Sequence, residues 1–356
     1  MNNQNRVKEI IDKLSIDAVL VSSGSNMRYL SGFSGATGYL YISRKKQVIL
    51  TDSRYTIQAN KEGLGFEVTE VAGSRDYCKC INDLIEAEDI KSLGYEDEDL
   101  LCSDFGNLKE ELNVKDMVPV KDSLTNLRRV KTEYELECIK QAEAIGDIAF
   151  TKILDVIKPG MTELEVAAYL EFFMKTNGAS GLSFDSIVAS GVNSSMPHAT
   201  PSDKVIENGD FLTMDFGCIY KGYCSDMTRT IVVGKASEEQ KKIYNIVLKA
   251  QLAALNAMKA GRMGKDIDKA ARDIIDEAGY KGCFGHGLGH SVGLDIHENP
   301  RCSVASEEIL LPNVTMTSEP GIYIKDFGGV RIEDLVVITE EGHINFTHSR
   351  KELIEL

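Results

Sequence analysis

The sequence predicts two domains: an α/β amino-terminal domain over residues 1–122 and an internally duplicated α+β domain over residues 123–356. Three observations carry this. The first third of the chain alternates short β-branched runs with amphipathic helical patterns. The remainder holds two helix–helix–hairpin units whose matched positions lie a fixed distance apart. Each hairpin carries an acid on each of its arms. A length of 356 residues suits two domains.

In chain order, residues 6–14 are helical in pattern and 18–22 read as a buried strand. Strands over 38–43 and 47–51 are joined by the polar turn Arg44-Lys45-Lys46. A helix over 54–62, a strand over 66–71 and a helix over 76–88 follow. A strand at 92–95, a helix near 103–112 and a strand at 117–120 complete the first domain. It has no GxxxxGK[ST] and no strand-to-helix GxGxxG, so no phosphate-binding loop is expected. The polar, basic stretch 121–131 reads as the junction. A long amphipathic helix over 133–157 then ends at Lys158-Pro159-Gly160. Thr162 caps a helix to about 175, which stops before Asn177-Gly178. Residues 183–190 and the loop 191–204 lead to the first hairpin. Ser237 and Gln240 have the spacing of a capping box and open a helix to about 259. A second helix near 265–277 stops before Gly279.

The first hairpin runs from Thr213 to Val233, with a turn at Tyr220-Lys221-Gly222 and acids Asp215 and Asp226 on opposite arms. The second covers 316–324 and 328–337 and carries Glu319 and Glu333. The helical halves match 101 residues apart, 158 with 259, Val166 with Ile267 and Gly178 with Gly279. The hairpins match 104 residues apart, with Thr213, Asp215 and Gly217 answering Thr317, Glu319 and Gly321. Two such units facing each other would bring both acid-bearing hairpins to one central site.

Composition narrows the partners. A formal charge of −15 argues against nucleic acid and against an anionic membrane surface. No apolar run approaches spanning length, and residues 1–9 lack the apolar core of a secretory signal. Eight scattered cysteines without a CxxC pair read as reduced thiols, so a cytoplasmic protein is expected. Cys218 and Cys224 flank the first hairpin turn and read as filler rather than as ligands.

Acids held this close need a shared proton or a cation to neutralise them. Asp215, Asp226, Glu319, Glu333 and one histidine offer mostly oxygen ligation with one imidazole, which suits Mn²⁺, Fe²⁺, Co²⁺ or Zn²⁺. Four carboxylates suffice to hold two cations about 4 Å apart. Two cations sharing a water lower its pKa and polarise a carbonyl, so amide hydrolysis is the chemistry expected. Three of the six histidines, His286, His290 and His297, fall between the hairpins, and His198 precedes the first. Glycines at 285, 287 and 289 exclude a helical HxxxH site there. Arg331, two residues from Glu333, either pairs with it or lines the site. His343 and His348 lie in the polar tail and are given no role.

The motifs MDFG (214–217), SDMTRT (225–230), GHGLGHSVGLDIHE (285–298), SEPGIYI (318–324) and RIED (331–334) resemble those of the pita-bread-fold metallopeptidases. Within that group the chain is similar to aminopeptidase P and prolidase, since NMRYLSGF (26–33) and TDSRY (51–55) resemble their creatinase-like amino-terminal domain. The resemblance implies a creatinase-type first domain over 1–122 and a pita-bread catalytic domain over 123–356. It implies two divalent cations, Mn²⁺ first and Co²⁺, Zn²⁺ or Fe²⁺ as alternatives, held by Asp215, Asp226, His290, Glu319 and Glu333. Asp226 and Glu333 would bridge, and Glu319 would serve as general base. His198, His286 and His297 would face the substrate, and Arg331 would line the pocket. All five ligand types are present, which disfavours creatinase. The activity implied is hydrolysis of Xaa-Pro bonds at peptide N-termini by a cytoplasmic homodimer. Aminopeptidase P comes first, prolidase is the alternative, and a non-catalytic peptide-binding relative is the reading of another class. An Xaa-Pro amide lacks an N–H and is bent by the ring, so a site shaped around it can select it.

Overall fold

The computed structural model describes residues 3–35, 37–73 and 76–356. The chain divides into two compact units, Met1–Arg128 and Arg129–Leu356. The first is built on six strands, β1 (Ala18–Val21), β2 (Tyr39–Ser43), β3 (Gln47–Asp52), β4 (Glu67–Val71), β5 (Ser92–Tyr95) and β6 (Asp116–Pro119). Their order is β4-β3-β2-β1-β5-β6. Every residue of β1 is buried, and it pairs antiparallel with β2 and parallel with β5. Such a strand reads as a continuous apolar run, as Ala-Val-Leu-Val does. Helices α1 (Asn3–Leu14), α2 (Gly24–Ser31), α3 (Thr56–Glu62), α4 (Asp76–Glu88) and α5 (Cys102–Glu111) connect the strands.

Helix α2 has no counterpart in the sequence reading. Its start is held locally by the Ser23 side chain, which accepts the Asn26 amide, and from far away by the buried carboxylate of Glu96, which accepts the amides of Ser22 at 2.6 Å and Ser23 at 2.8 Å. Local propensity carries no trace of that contact. The 3-10 turns Lys121–Ser123 and Thr125–Arg128, read from sequence as part of the junction, belong to the first unit.

The second unit contains two helix pairs. These are α6 (Glu133–Leu154) with α7 (Glu163–Thr176), and α8 (Glu238–Ala257) with α9 (Gly264–Ile275). Capping boxes open three of them, at Thr132/Glu135, Thr162/Glu165 and Ser237/Gln240, each pair satisfying two free amides reciprocally. The strands, in order, are β7 (Gly181–Leu182), β8 (Ile187–Ser190), β9 (Phe211–Phe216), β10 (Cys218–Tyr220), β11 (Tyr223–Cys224), β12 (Met227–Val232), β13 (Gly289–Ser291), β14 (Glu298–Cys302), β15 (Thr315–Ser318), β16 (Gly321–Ile324), β17 (Gly328–Arg331), β18 (Asp334–Ile338) and β19 (His343–Asn345). One apolar cluster lies under α6 and α7 and includes Ile153, Leu170 and Met214; a second lies under α8 and α9 and includes Val247, Ile267 and Met316. Each repeat thus has its own core.

Each expected hairpin is two ladders in succession rather than one. In the first, β9 pairs with β12, then β10 pairs with β11. In the second, β15 pairs with β18, then β16 pairs with β17. The breaks between ladders hold acids: Asp226 ahead of β12, Glu319 between β15 and β16, Glu333 between β17 and β18. Gly217 makes the first break sterically feasible, because a Cβ there would sit 2.0 Å from the carbonyl oxygen of Ser225. Among the described residues, no helix is long and apolar enough to cross a membrane.

Arg229 of β12 ties the two repeats together. Its buried guanidinium donates to the Glu333 carbonyl, to Asp334 Oδ1 at 2.8 Å and to the Ser349 carbonyl at 2.7 Å. Asp334 also accepts from Lys351 at 2.6 Å, Asn345 at 2.8 Å and Gln251 at 3.0 Å. Replacing Arg229 with Met would strand these acceptors in the interior. We expect Arg229→Met to lower unfolding stability by roughly 3–5 kcal/mol in urea titration. A loss under about 1 kcal/mol would mean that the network does not hold the repeats together.

Candidate metal centre

A cavity of about 500 Å³ in the second unit is lined by Asp215, Asp226, His290, Glu319, Glu333 and Arg331. His198, His286 and His297 line it as well. All nine residues singled out from sequence therefore meet in one place. Asp215 points from β9, directly opposite Thr228 of β12. Asp226, Glu319 and Glu333 enter from the breaks between ladders, where the backbone leaves strand pairing and can turn a side chain inward.

The acids are placed at an electrostatic cost. Burial, and then the neighbouring carboxylates beginning with Glu333, push Asp226 well above the usual carboxylate range. Burial does the same to Glu333, followed by the charges of Glu319 and Asp215. Glu319 is pushed up to about 8, mainly by burial, against the opposing pull of Arg331. One oxygen of Asp215 and one of Glu333 are buried without a hydrogen-bond partner among the described residues. Buried carboxylate oxygens with nothing to accept are costly unless a cation or proton meets them.

His290 completes the set. Its Nδ1 lies 3.1 Å from the Ser291 carbonyl, which accepts only if Nδ1 carries the proton. Nε2 then presents a lone pair to Asp226 Oδ2 and Glu319 Oε1, each 3.5 Å away. These are not ion pairs, because burial depresses His290 to about 3 and keeps it neutral. Single ligand atoms of Asp226, His290 and Glu333 all lie within 4.8 Å of one another. Lone pairs converging from three sides repel one another until a cation sits between them. The donor set, hard oxygens with one neutral imidazole, fits divalent first-row cations.

Arg331 does not pair with Glu333. It donates to Asp215 Oδ2 at 2.7 Å, Tyr323 Oη at 2.7 Å and Thr228 Oγ1 at 3.0 Å. Thr228 passes its own proton to Glu333 Oε2 at 2.7 Å. His286 is likewise engaged, Nδ1 with the Gly287 carbonyl at 2.8 Å and Nε2 with Tyr323 Oη at 2.9 Å. Since Nδ1 must donate, Tyr323 donates to Nε2 while accepting from Arg331. His286 thus lines the cavity with both ring nitrogens already engaged. His198 and His297 are exposed and make no side-chain hydrogen bond among the described residues, with His297 edge-on to His290 at 4.4 Å.

Sequence reasoning missed Thr228, Tyr323 and Glu143. Thr228 was discoverable as the cross-strand partner of Asp215. Glu143 was not: it comes from α6, fully buried, to accept the Asp226 amide at 3.2 Å and the Thr347 hydroxyl at 2.6 Å. Cys218 and Cys224 are buried thiols directed at the carbonyls of Ala142 and Leu294. Burial pushes both up to about 12, so neither offers a thiolate.

The raised acids make metal-free stability pH-dependent. A carboxyl whose folded pKa exceeds its unfolded value favours the fold when protonated and opposes it once ionised. The penalty grows as pH rises from the unfolded value of about 4 through the folded value of about 8 at Glu319. Chelated protein should therefore lose Tm between about pH 5 and about pH 8, with the Tm gain on adding Mn²⁺ growing over the same interval. A gain independent of pH, by scanning fluorimetry, would show that the cations do not meet these groups.

Comparison with known proteins agrees with this geometry. Residues 137–340 match the model of metallopeptidase family M24, and residues 4–130 match the creatinase/prolidase N-terminal domain. The chain is 41% identical to the Xaa-Pro dipeptidase of Pyrococcus horikoshii, over 98% of this chain and 97% of that one. A solved Xaa-Pro dipeptidase from Bacillus anthracis superimposes with a TM-score of 0.96 at 44% identity, covering 99% of both chains. A solved X-Pro aminopeptidase from Thermotoga maritima gives 0.90 at 40% identity, covering 97% of this chain and 99% of that one. These relatives have the two-domain pita-bread architecture. With the family model spanning residues 137–340 and such relatives along its whole length, the chain belongs to metallopeptidase family M24 and is a hydrolase with a creatinase/prolidase-type amino-terminal domain.

Proposed function

We propose that this hydrolase is a divalent-metal-dependent exopeptidase that cleaves Xaa-Pro bonds at the N-termini of short peptides. The observation that carries it is the buried acid cluster, with partnerless oxygens on Asp215 and Glu333 beside the lone pair of His290. Asp215, Asp226, His290, Glu319 and Glu333 would hold two cations, with Mn²⁺ as the first choice. When bound, the cations supply an acidified water and polarise the scissile carbonyl. Glu319, which burial already biases towards holding a proton, would take the proton of the attacking water at its carboxylate and return it to the leaving proline nitrogen. Arg331 holds Asp215 in register and keeps Tyr323 oriented. His198 and His297, at the mouth, would hydrogen-bond the peptide. A cytoplasmic homodimer stays part of this reading, resting on the resemblance and on eight unpaired cysteines.

Aminopeptidase P and prolidase differ in what lies beyond the proline. One feature favours the dipeptidase. Arg301 lines the cavity from β14, and its side chain has no partner among the described residues. A lone guanidinium at the mouth suits the free carboxylate of a dipeptide, which an extended peptide lacks there. Relatives bearing the name Xaa-Pro dipeptidase support the same choice.

Two experiments decide these points. Asp226→Asn should keep the fold by circular dichroism and lose at least about a thousandfold in kcat/KM, ~4 kcal/mol of transition-state stabilisation. Full activity in that variant would sink the metal assignment. Hydrolysis of an Xaa-Pro dipeptide should be compared with an Xaa-Pro-Yaa tripeptide, with Mn²⁺ and after chelation. Arg301→Ala should raise KM for the dipeptide about tenfold and leave the tripeptide unchanged. Preferred cleavage of the tripeptide by the wild type would make the enzyme an aminopeptidase.

A further inference from the structure

The buried carboxylate of Glu163 is used by no step of the reaction and, among the described residues, by no ion pair. Glu163 opens α7 and has no solvent exposure. The helix is already capped by Thr162 and Glu165, so Glu163 is free to serve another segment. Its Oε1 accepts the Ser190 amide at 2.7 Å, the Ser190 hydroxyl at 2.9 Å and the Asn193 side-chain amide at 3.1 Å. Its Oε2 accepts the Ser202 amide at 3.1 Å and the Ser202 hydroxyl at 2.6 Å. The nearby Lys204 is occupied with Ser190 Oγ and Asp210, each at 2.8 Å. The charge of Glu163 is therefore met by donors from one loop and by the amino end of α7.

That loop begins where β8 ends at Ser190 and returns at Ser202, so one carboxylate pins both ends and, through Asn193, the first turn. Its other face is seated on β17. Ser194 Oγ accepts the Gly329 amide at 2.9 Å. A Cβ at Gly329 would lie 2.3 Å from the Ser194 carbonyl oxygen, so only glycine lets the loop come this close. Between these anchors stands His198, which lines the cavity and makes no hydrogen bond of its own among the described residues. The position of its ring is thus set by the backbone that carries it.

We propose that Glu163 is a positioning residue: by closing the loop from Ser190 to Ser202 against β17 it sets where His198 stands in the cavity. The inference rests on the reading of His198 as a substrate-side imidazole. It asks nothing of the residues read as metal ligands, none of which lies in the loop.

The test uses the full-length protein with Glu163→Gln, which keeps the volume and replaces an acceptor oxygen with a donor. Ser202→Ala is the second variant, since it removes one anchoring hydroxyl and leaves α7 untouched. Amide hydrogen exchange should quicken about tenfold across residues 191–202 and stay unchanged in α7 beyond its first turn. On an Xaa-Pro dipeptide, kcat/KM should fall about ten- to a hundredfold. Mn²⁺ affinity by calorimetry should stay within about twofold, and Glu163→Gln with His198→Ala should be no worse than His198→Ala alone. Unchanged exchange in the loop overturns the proposal, as do losses that multiply in the double variant. If Glu163→Gln does not fold, Ser202→Ala gives the same readings at smaller size and is judged by the same criteria. If the wild type cuts no Xaa-Pro peptide, or His198→Ala is fully active, the functional reading of His198 fails. The exchange data then decide the loop-closing role by themselves.

Discussion

Four carboxylates brought together in the interior are the constraint on which the second unit depends. Asp226, Glu319 and Glu333 are all driven towards protonation by burial and by their neighbours. A fold that relied on apolar packing alone would not accept such a cluster, since an unpaired buried charge costs several kcal/mol. It is tolerated because its surroundings are built from donors. Thr228 donates to Glu333, and Arg331 donates to Asp215. The convergence of oxygens that makes the ionised cluster unfavourable is the same property that suits it to divalent cations.

The scaffold around the cluster is correspondingly stiff. Arg229 and Asp334 lock β12 to β18, so the arms carrying Asp226 and Glu333 cannot drift apart independently. The buried pair Lys131–Glu298, at 2.7 Å, fixes β14 to the segment ahead of α6, and Lys131 also reaches Ser291 beside His290. Removing one partner of either pair leaves a charge in a dry environment, and Asp334 directly follows Glu333 while Glu298 directly follows His297. The polar interior therefore specifies geometry more than it adds net stability.

Much of this was legible in the sequence, for identifiable reasons. The repeat could be seen because matched glycines and helix ends keep a constant spacing, and the acids because they interrupt β-branched runs at equivalent positions. The capping box at Ser237 and the N-cap at Thr162 marked two helix starts directly. What escaped depended on contacts remote in sequence. Helix α2 is secured by Glu96, and the division of each hairpin into two ladders follows from close approaches such as Gly217 to Ser225. The engagement of His286 by Tyr323 is a tertiary fact with no local signature. Arg331 was left open between pairing with Glu333 and lining the site; it lines the cavity and pairs with Asp215, from the opposite repeat.

The duplication also has a consequence for how the centre is divided. The backbone repeats, but the first half carries aspartates at 215 and 226 and the second carries glutamates at 319 and 333. A glutamate reaches one bond further, about 1.5 Å, so the two halves present their oxygens at different distances from their backbones. The halves are therefore not interchangeable. A chain assembled from two copies of either half would present its oxygens too short or too long for a common centre. The ancestral symmetry survives in the strands and has been spent at the tips of the side chains.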